Sequence, residues 1–133
     1  MIDVKKVEDF EKLTTSLNNI ASAIENMPTS DKINYSTEEQ NTGLKWIDGN
    51  TIYQKSIEIT SFSSSILVIS NIDILVYAEG VLTNGQNQWF APYNDNDYAM
   101  FVKDPNDNVK LVLSSWFVNN LTGAIITVRY TKL

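Results

Sequence analysis

The alternation of apolar and polar side chains is the feature that most constrains the fold of this chain. After Gly43 apolar residues recur at every second position, as they do in strands with one buried face. Turn residues flank each of eight predicted strands, which lie at 44–48, 51–60, 65–70, 72–79, 87–92, 98–103, 108–114 and 123–131. So many short alternating segments predict a mainly β fold, with an antiparallel β-sandwich or jelly-roll-like body.

Several predicted strands have one apolar face, which we expect to point into the core. These faces comprise Ile72, Ile74 and Val76; Met100 and Val102; Val109, Leu111 and Leu113; and Ala124, Ile126, Val128 and Tyr130. The segments 66–69 and 72–77 are apolar on both faces. Their second face needs cover, either from a neighbouring chain or from the rest of the same chain.

A different periodicity precedes the strands. Six apolar residues follow heptad spacing, namely Phe10, Leu13, Leu17, Ile20, Ile24 and Met27. The positions beside this seam are small and uncharged, and Leu or Ile at the first seam position with Ile at the second favours three or four helices over two. We therefore predict a short N-terminal coiled-coil helix that forms a homotrimer. The alternative is a single amphipathic helix packed against its own β-body.

The composition of the chain changes between the heptads and the strands. Pro28 disfavours helix at the residue before it, and the segment that follows is mostly polar. We predict three regions: a coiled-coil helix at 1–28, a neck or linker at 29–43 and the β-body at 44–133.

A motif stands at the start of the β-body and a related ending closes the chain. The motif comprises Thr37, Glu39, Gly43, Trp46-Ile47-Asp48-Gly49 and Tyr53-Gln54-Lys55, and the last strand ends with Tyr130-Thr131-Lys132-Leu133. Over residues 35–133 the chain resembles the small fibre and appendage domains of bacteriophages, chiefly those of Gram-positive hosts. The resemblance implies a component of the virion, located on the head or the tail. At the neck we expect a structural role for Trp46, Asp48, Gly49 and Tyr53.

Charge and composition exclude several classes of partner. Ten basic and sixteen acidic residues give a formal net charge of −6, which argues against binding to nucleic acid or to an anionic membrane. No apolar run approaches the ~18 residues of a membrane span. The chain has no histidine, which is the commonest general base and the commonest neutral metal ligand. It has no cysteine either, so no thiolate is available for catalysis or metal binding.

Carboxylates would therefore have to carry any catalysis or calcium binding. The candidates are Asp95, Asp97, Asp104 and Asp107, in two turn-like segments rich in Asn and Pro. In such turns Asp is favoured because its side chain accepts hydrogen bonds from nearby backbone. A catalytic acid would also need a desolvated setting. We predict no enzymatic activity, no metal site and no cofactor.

Aromatic residues between 86 and 98 provide a candidate ligand-binding surface. They are Trp89, Phe90, Tyr93 and Tyr98, which stand beside several Asn and Gln residues. Flat rings beside amide groups suit a sugar or a protein partner. Adjacent strand residues face opposite ways, so we expect one of Trp89 and Phe90 to be buried and the two tyrosines to be more exposed. Trp116 and Phe117 are expected at an inter-chain edge.

These features together predict a homotrimeric fibre or appendage protein of a phage virion. Its partners would be capsid or tail proteins, and its β-body would face the host surface, with a cell-wall glycan as the expected ligand. The competing interpretation is a monomeric carbohydrate-binding or adhesive β-sandwich module whose helix folds onto the sheets.

Overall fold

The computed structural model describes residues 4–25 and 35–133, with side chains from 7 to 23 and from 35 to 133. The fold is mainly β, with two antiparallel sheets and an N-terminal helix. Helix α1 covers Val4–Glu25 and a second, short helix α2 covers Ser115–Asn120. The strands are β1 Gln40–Lys45, β2 Thr51–Ile59, β3 Ser65–Ile69, β4 Ile72–Thr83, β5 Gln88–Ala91, β6 Tyr93–Asn94, β7 Tyr98–Lys103, β8 Val109–Leu113 and β9 Gly123–Lys132.

The strands form a five-stranded sheet in the order β1-β2-β9-β4-β5 and a four-stranded sheet in the order β3-β8-β7-β6. The last strand, β9, lies at the centre of the larger sheet. It pairs with β2 from Tyr53 opposite Tyr130 to Ile59 opposite Ala124, and on its other edge with β4. The larger sheet is therefore complete only when β9 has paired with both β2 and β4.

Inward side chains of both sheets form one core. Those exposed by less than 2 % include Ile72, Leu82, Val109, Leu111, Leu113, Phe117, Ile126, Val128 and Tyr130. The predicted inward faces of β8 and β9 are thereby confirmed, as is Ile72 in β4. Ile74 and Val76 are only half-buried. The pairing of β4 with β9 shifts register between Ile72 and Tyr77, so the simple alternation expected there is interrupted.

The predicted inward face of β7 is wrong. Met100 and Val102 are 39 % and 46 % exposed, whereas Ala99 is fully buried. Ala99 and Phe101 stand opposite core residues of β8, so these two residues share the inward face. Because the strand is apolar on both faces, its alternation does not reveal which face points inward.

The first predicted strand lies too late in the sequence. Strand β1 ends at Lys45, and residues 46–50 form the turn to β2, closed by 2.9 Å hydrogen bonds from Trp46 N to Asn50 O and from Gly49 N to Trp46 O. Gly49 has a φ of +86°, which only glycine adopts readily. The Asp48 carboxylate accepts a hydrogen bond from Asn50 N at 2.9 Å. Asp48 and Gly49 thus determine the shape of this turn.

Trp116 and Phe117 lie in helix α2, where the sequence predicted an inter-chain edge. Phe117 is 1 % exposed and belongs to the core of its own chain, which contradicts that expectation. Trp116 is 41 % exposed and meets Phe117 edge to face at a centroid distance of 5.6 Å. Adjacent residues of a helix point in different directions, so the Phe117 ring enters the core while the Trp116 ring stays partly exposed.

Helix α1 leaves its apolar seam uncovered in the single chain. Phe10, Leu13, Leu17 and Ile20 are 57 to 69 % exposed, so these side chains do not pack on either sheet. The side chain of Ile24 and all of Met27 lie outside the described residues.

Across the described segments, neither helix has the length and apolar character that crossing a membrane requires.

Gly80 in β4 lies so close to Ile126 of β9 that it leaves little space for a side chain. A Cβ atom at this position would overlap Cδ1 of Ile126 and lie 3.4 Å from the carbonyl oxygen of Ile125. We expect Gly80→Ala to lower the free energy of unfolding by about 1–3 kcal/mol, because an overpacked core must shift. Urea denaturation measures this change. Ile126→Val removes the colliding methyl, so the double variant should be more stable than Gly80→Ala alone; a double variant that is less stable would contradict the predicted overlap.

Candidate functional site

The two ends of the sequence motif meet in one cluster around Glu39. Its carboxylate accepts a hydrogen bond from the Tyr130 hydroxyl and forms an ion pair with Lys132. Lys132 Nζ also lies 4.2 Å from the centroid of the Tyr53 ring, and that ring stacks on Tyr130 at 6.3 Å. We call these four residues the Glu39 cluster. It connects the segment before β1 to β2 and to the end of β9.

The charges in this cluster support one another. Burial alone would raise the pKa of Glu39, but the hydrogen bonds and charge of its partners outweigh burial and hold that pKa below its usual 4.5. Burial and the neighbouring carboxylate raise the pKa of Tyr130, so its hydroxyl remains a donor. The hydrogen bond with Glu39 raises the pKa of Lys132. The cluster therefore consists of an ionised acceptor between two protonated donors, an arrangement that stabilises a fold.

The aromatic residues predicted as a ligand surface do not form one surface. Trp89 and Tyr93 each meet the buried ring of Phe117 edge to face at 5.6 Å, so both pack at the core. Phe90 points the other way and is 68 % exposed, as expected for one of two adjacent strand residues. Tyr98 is 42 % exposed in β7, on the smaller sheet. Tyr93 is thus less exposed than the sequence suggested.

The four loop aspartates lie at opposite ends of β7, about 20 Å apart along a six-residue strand. Asp97 accepts a hydrogen bond from Ser114 Oγ at 3.1 Å. Asp104 accepts hydrogen bonds from the backbone N–H groups of Asn108 and Asn106, which lower its pKa. Asp107 pairs with Lys103 at 3.0 Å. These contacts stabilise the conformations of the loops. Within residues 4–25 and 35–133, no three carboxylates lie close enough together to form a metal site.

The outer face of the five-stranded sheet carries a surface that sequence reasoning missed. Cross-strand pairing places three rows of side chains there: Glu58, Ile125, Val81 and Phe90; Ser56, Thr127 and Glu79; and Gln54, Arg129 and Tyr77. The first row is largely apolar and exposed, with Ile125 at 51 %. The other two are polar, and their members on β2 and β9 are mostly buried. One face therefore combines apolar and hydrogen-bonding groups.

Two adjoining cavities lie on this face. One, of about 370 Å³, is lined by Tyr35, Tyr77, Arg129 and neighbouring residues, and the other, of about 480 Å³, by Tyr35, Phe90 and others. Both share Tyr35, Glu79 and Thr127. We call the pair the outer-face groove. Its side chains come from the segment before β1 and from β2, β4, β5 and β9.

Hydrogen bonds within the groove fix its polar groups. Arg129 Nε donates to Gln54 Oε1 at 2.8 Å, and the Ser56 and Thr127 hydroxyls lie 2.8 Å apart. A hydrogen bond to Glu79 raises the pKa of Tyr77 to about 12. The polar groups of the groove are thus held in fixed positions beside its aromatic rings.

Comparisons with protein-family models, with curated proteins and with solved structures found no match for this chain.

The Glu39 cluster gives a pH-dependent contribution to stability. A carboxylate with a lowered folded-state pKa stabilises the fold above its usual pKa, and this contribution disappears as the pH falls through the folded-state value. We expect Glu39→Gln to lower the free energy of unfolding at pH 7 by about 1 kcal/mol, through the weakened Tyr130 hydrogen bond. The difference from the wild type should disappear well below pH 4.5, as measured by urea denaturation across pH.

Two variants complete this test. Tyr130→Phe removes the same hydrogen bond from the donor side, so its loss and that of Glu39→Gln should not add in the double variant. Glu38→Gln removes an equal charge from an exposed neighbour and should change stability little. Fully additive losses would show that the hydrogen bond does not couple the two residues. A Glu39→Gln effect that persists in acid would show that the charge of the carboxylate does not cause it.

Proposed function

We propose that this chain is a non-enzymatic structural component of a phage virion, a trimeric fibre or appendage protein. Helix α1 forms a short three-stranded coiled coil, and the two sheets form a β-sandwich with jelly-roll-like character. The β-body is presented outward for adhesion to the host surface or for receptor binding. Other virion proteins of the capsid or tail hold the fibre on the particle.

The exposed seam of α1 is the observation that carries this proposal. Side chains at Phe10, Leu13, Leu17 and Ile20 expose more than half of their surface along one helix. Most of the stability of a helix in a protein comes from packing its apolar face, and a contiguous exposed apolar stripe indicates a partner. Heptad spacing makes further copies of the same helix the fitting partner.

The Glu39 cluster supports the same assignment from a second direction. The motif that resembles phage fibre domains joins the segment before β1 to β2 and β9 through Glu39, Tyr53, Tyr130 and Lys132. Such a connection suits a fibre, because it anchors the segment that leads into the body on the central strands of the larger sheet. The motif residues thus have a structural task that the proposed architecture needs.

A monomeric carbohydrate-binding or adhesive module is the second candidate. The outer-face groove favours it, since such a module needs only the groove and no stalk. The exposed seam weighs against it, because a monomer gains nothing from an uncovered apolar helix face. Oligomeric state separates the two candidates.

Light scattering on the intact chain should give the mass of three chains at micromolar concentration and neutral pH. Leu17→Lys should dissociate them, because each chain loses about 1.5–3 kcal/mol of apolar burial and places a charge in the seam. The far-ultraviolet circular dichroism of the variant should lose helical signal while the strands remain folded.

Thr15→Lys is the matched control, since Thr15 is exposed on the helix face opposite the seam. It adds the same charge to the same helix and should leave the trimer intact. A wild-type mass of one chain would refute the trimeric fibre and leave the monomeric module. Dissociation by both variants would indicate a general charge effect in place of a seam.

A further inference from the structure

We infer that the outer-face groove binds a neutral oligosaccharide. This inference rests on the proposed adhesion function, for which it names the site and the class of ligand. The residues that carry it are Tyr35, Tyr77 and Phe90 as stacking rings, with the half-buried Glu79 and Arg129 as hydrogen-bonding groups.

The shape of the groove suits a short chain of sugar rings. Its two cavities, of about 370 and 480 Å³, each fall in the range of small-molecule sites, roughly 300–1,000 Å³. They share Tyr35, Glu79 and Thr127, so a ligand could extend from one into the other. An elongated ligand with repeated units fits such a pair better than a single compact molecule.

The rings of the groove are available for stacking. Tyr35 is 76 % exposed and Phe90 is 68 % exposed, and Tyr77 is less so. A sugar ring has an apolar C–H face that packs flat on an aromatic ring, while its hydroxyl groups at the edge remain free. Tyr35 lines both cavities, so it lies where two adjacent sugar units would meet.

Glu79 and Arg129 are the polar groups of the groove that a ligand can reach, since both are half-buried. Gln54 and Thr127 are 3 % and 5 % exposed, and each is held by a 2.8 Å hydrogen bond to Arg129 or Ser56. Groups already fixed in place lose little freedom when a ligand binds. The Glu79 carboxylate provides acceptors and the Arg129 guanidinium provides donors.

Charge selects a neutral ligand. Glu79 and Arg129 lie on adjacent strands in the groove and carry opposite charges, and the chain as a whole is −6. An anionic polymer would meet a repulsive field, and no excess of negative groups in the groove favours a cation. A second copy of the chain fits less well, because it would bury Glu79 and Arg129 at the centre of an interface, where charged groups are depleted.

The test is a titration of the full chain, labelled with ¹⁵N, with neutral tetrasaccharides of glucose, galactose, mannose and N-acetylglucosamine. At least one should produce saturable shifts that concentrate on residues of the groove. Phe90→Ala and Tyr35→Ala should each weaken binding about tenfold, which corresponds to about 1.4 kcal/mol. Met100→Ala, an exposed apolar residue on the other sheet, is the control and should leave affinity unchanged.

Several outcomes would overturn the inference. One is the absence of saturable binding by every tetrasaccharide at about 5 mM, a concentration at which an interaction of even −4 kcal/mol would be visible. Another is binding whose affinity does not change in Phe90→Ala and Tyr35→Ala, and a third is tighter binding of an anionic tetragalacturonate. A fall in oligomer mass caused by Phe90→Ala would likewise overturn it, since the face would then be a contact between chains.

The mass of the wild-type chain, measured on the same samples, separates this inference from the proposed fibre. A trimer without sugar binding retains the fibre and removes the groove ligand. A monomer that binds through Tyr35 and Phe90 retains the groove ligand and removes the fibre.

Discussion

Pairing of β9 with both β2 and β4 is the constraint on which the rest of the structure depends. Along its inner face this strand contributes Ala124, Ile126, Val128 and Tyr130 to the core, and along its outer face it contributes Ile125, Thr127 and Arg129 to the groove. Its end also reaches the Glu39 cluster through Tyr130 and Lys132. A one-residue slip of β9 would exchange its two faces and abolish the core, the groove and the cluster together.

Local turn chemistry and alternation made much of the strand order along the chain predictable. Turn residues such as Asp48 and Gly49 separate segments whose alternation is clear, so most strands begin and end close to their expected positions. Alternation fails where both faces are apolar. In β7 the choice between Ala99 with Phe101 and Met100 with Val102 depends on pairing with Leu113 and Leu111, which no local pattern contains.

The candidate site was less predictable than the fold, for the same physical reason. Sequence proximity grouped Trp89, Phe90, Tyr93 and Tyr98, but a strand sends adjacent side chains to opposite faces and a turn sends the next strand to another sheet. The groove instead joins Tyr35, Tyr77, Phe90 and Arg129 from distant parts of the chain. The registers of β9 with β2 and β4, and of β4 with β5, bring the strand residues together, and register is a property of the folded sheet.

The structure also separates the residues of the sequence motif from those of the groove. Glu39, Tyr53, Tyr130 and Lys132 contact one another, and Asp48 and Gly49 shape a turn, so these motif residues act on the fold. Most of the groove, including its three stacking rings, lies outside the motif. Residues that hold the body together are therefore largely distinct from those that would contact a ligand. Two chains could then share this motif, and the architecture it stabilises, while the outer face of the larger sheet differs between them in ligand.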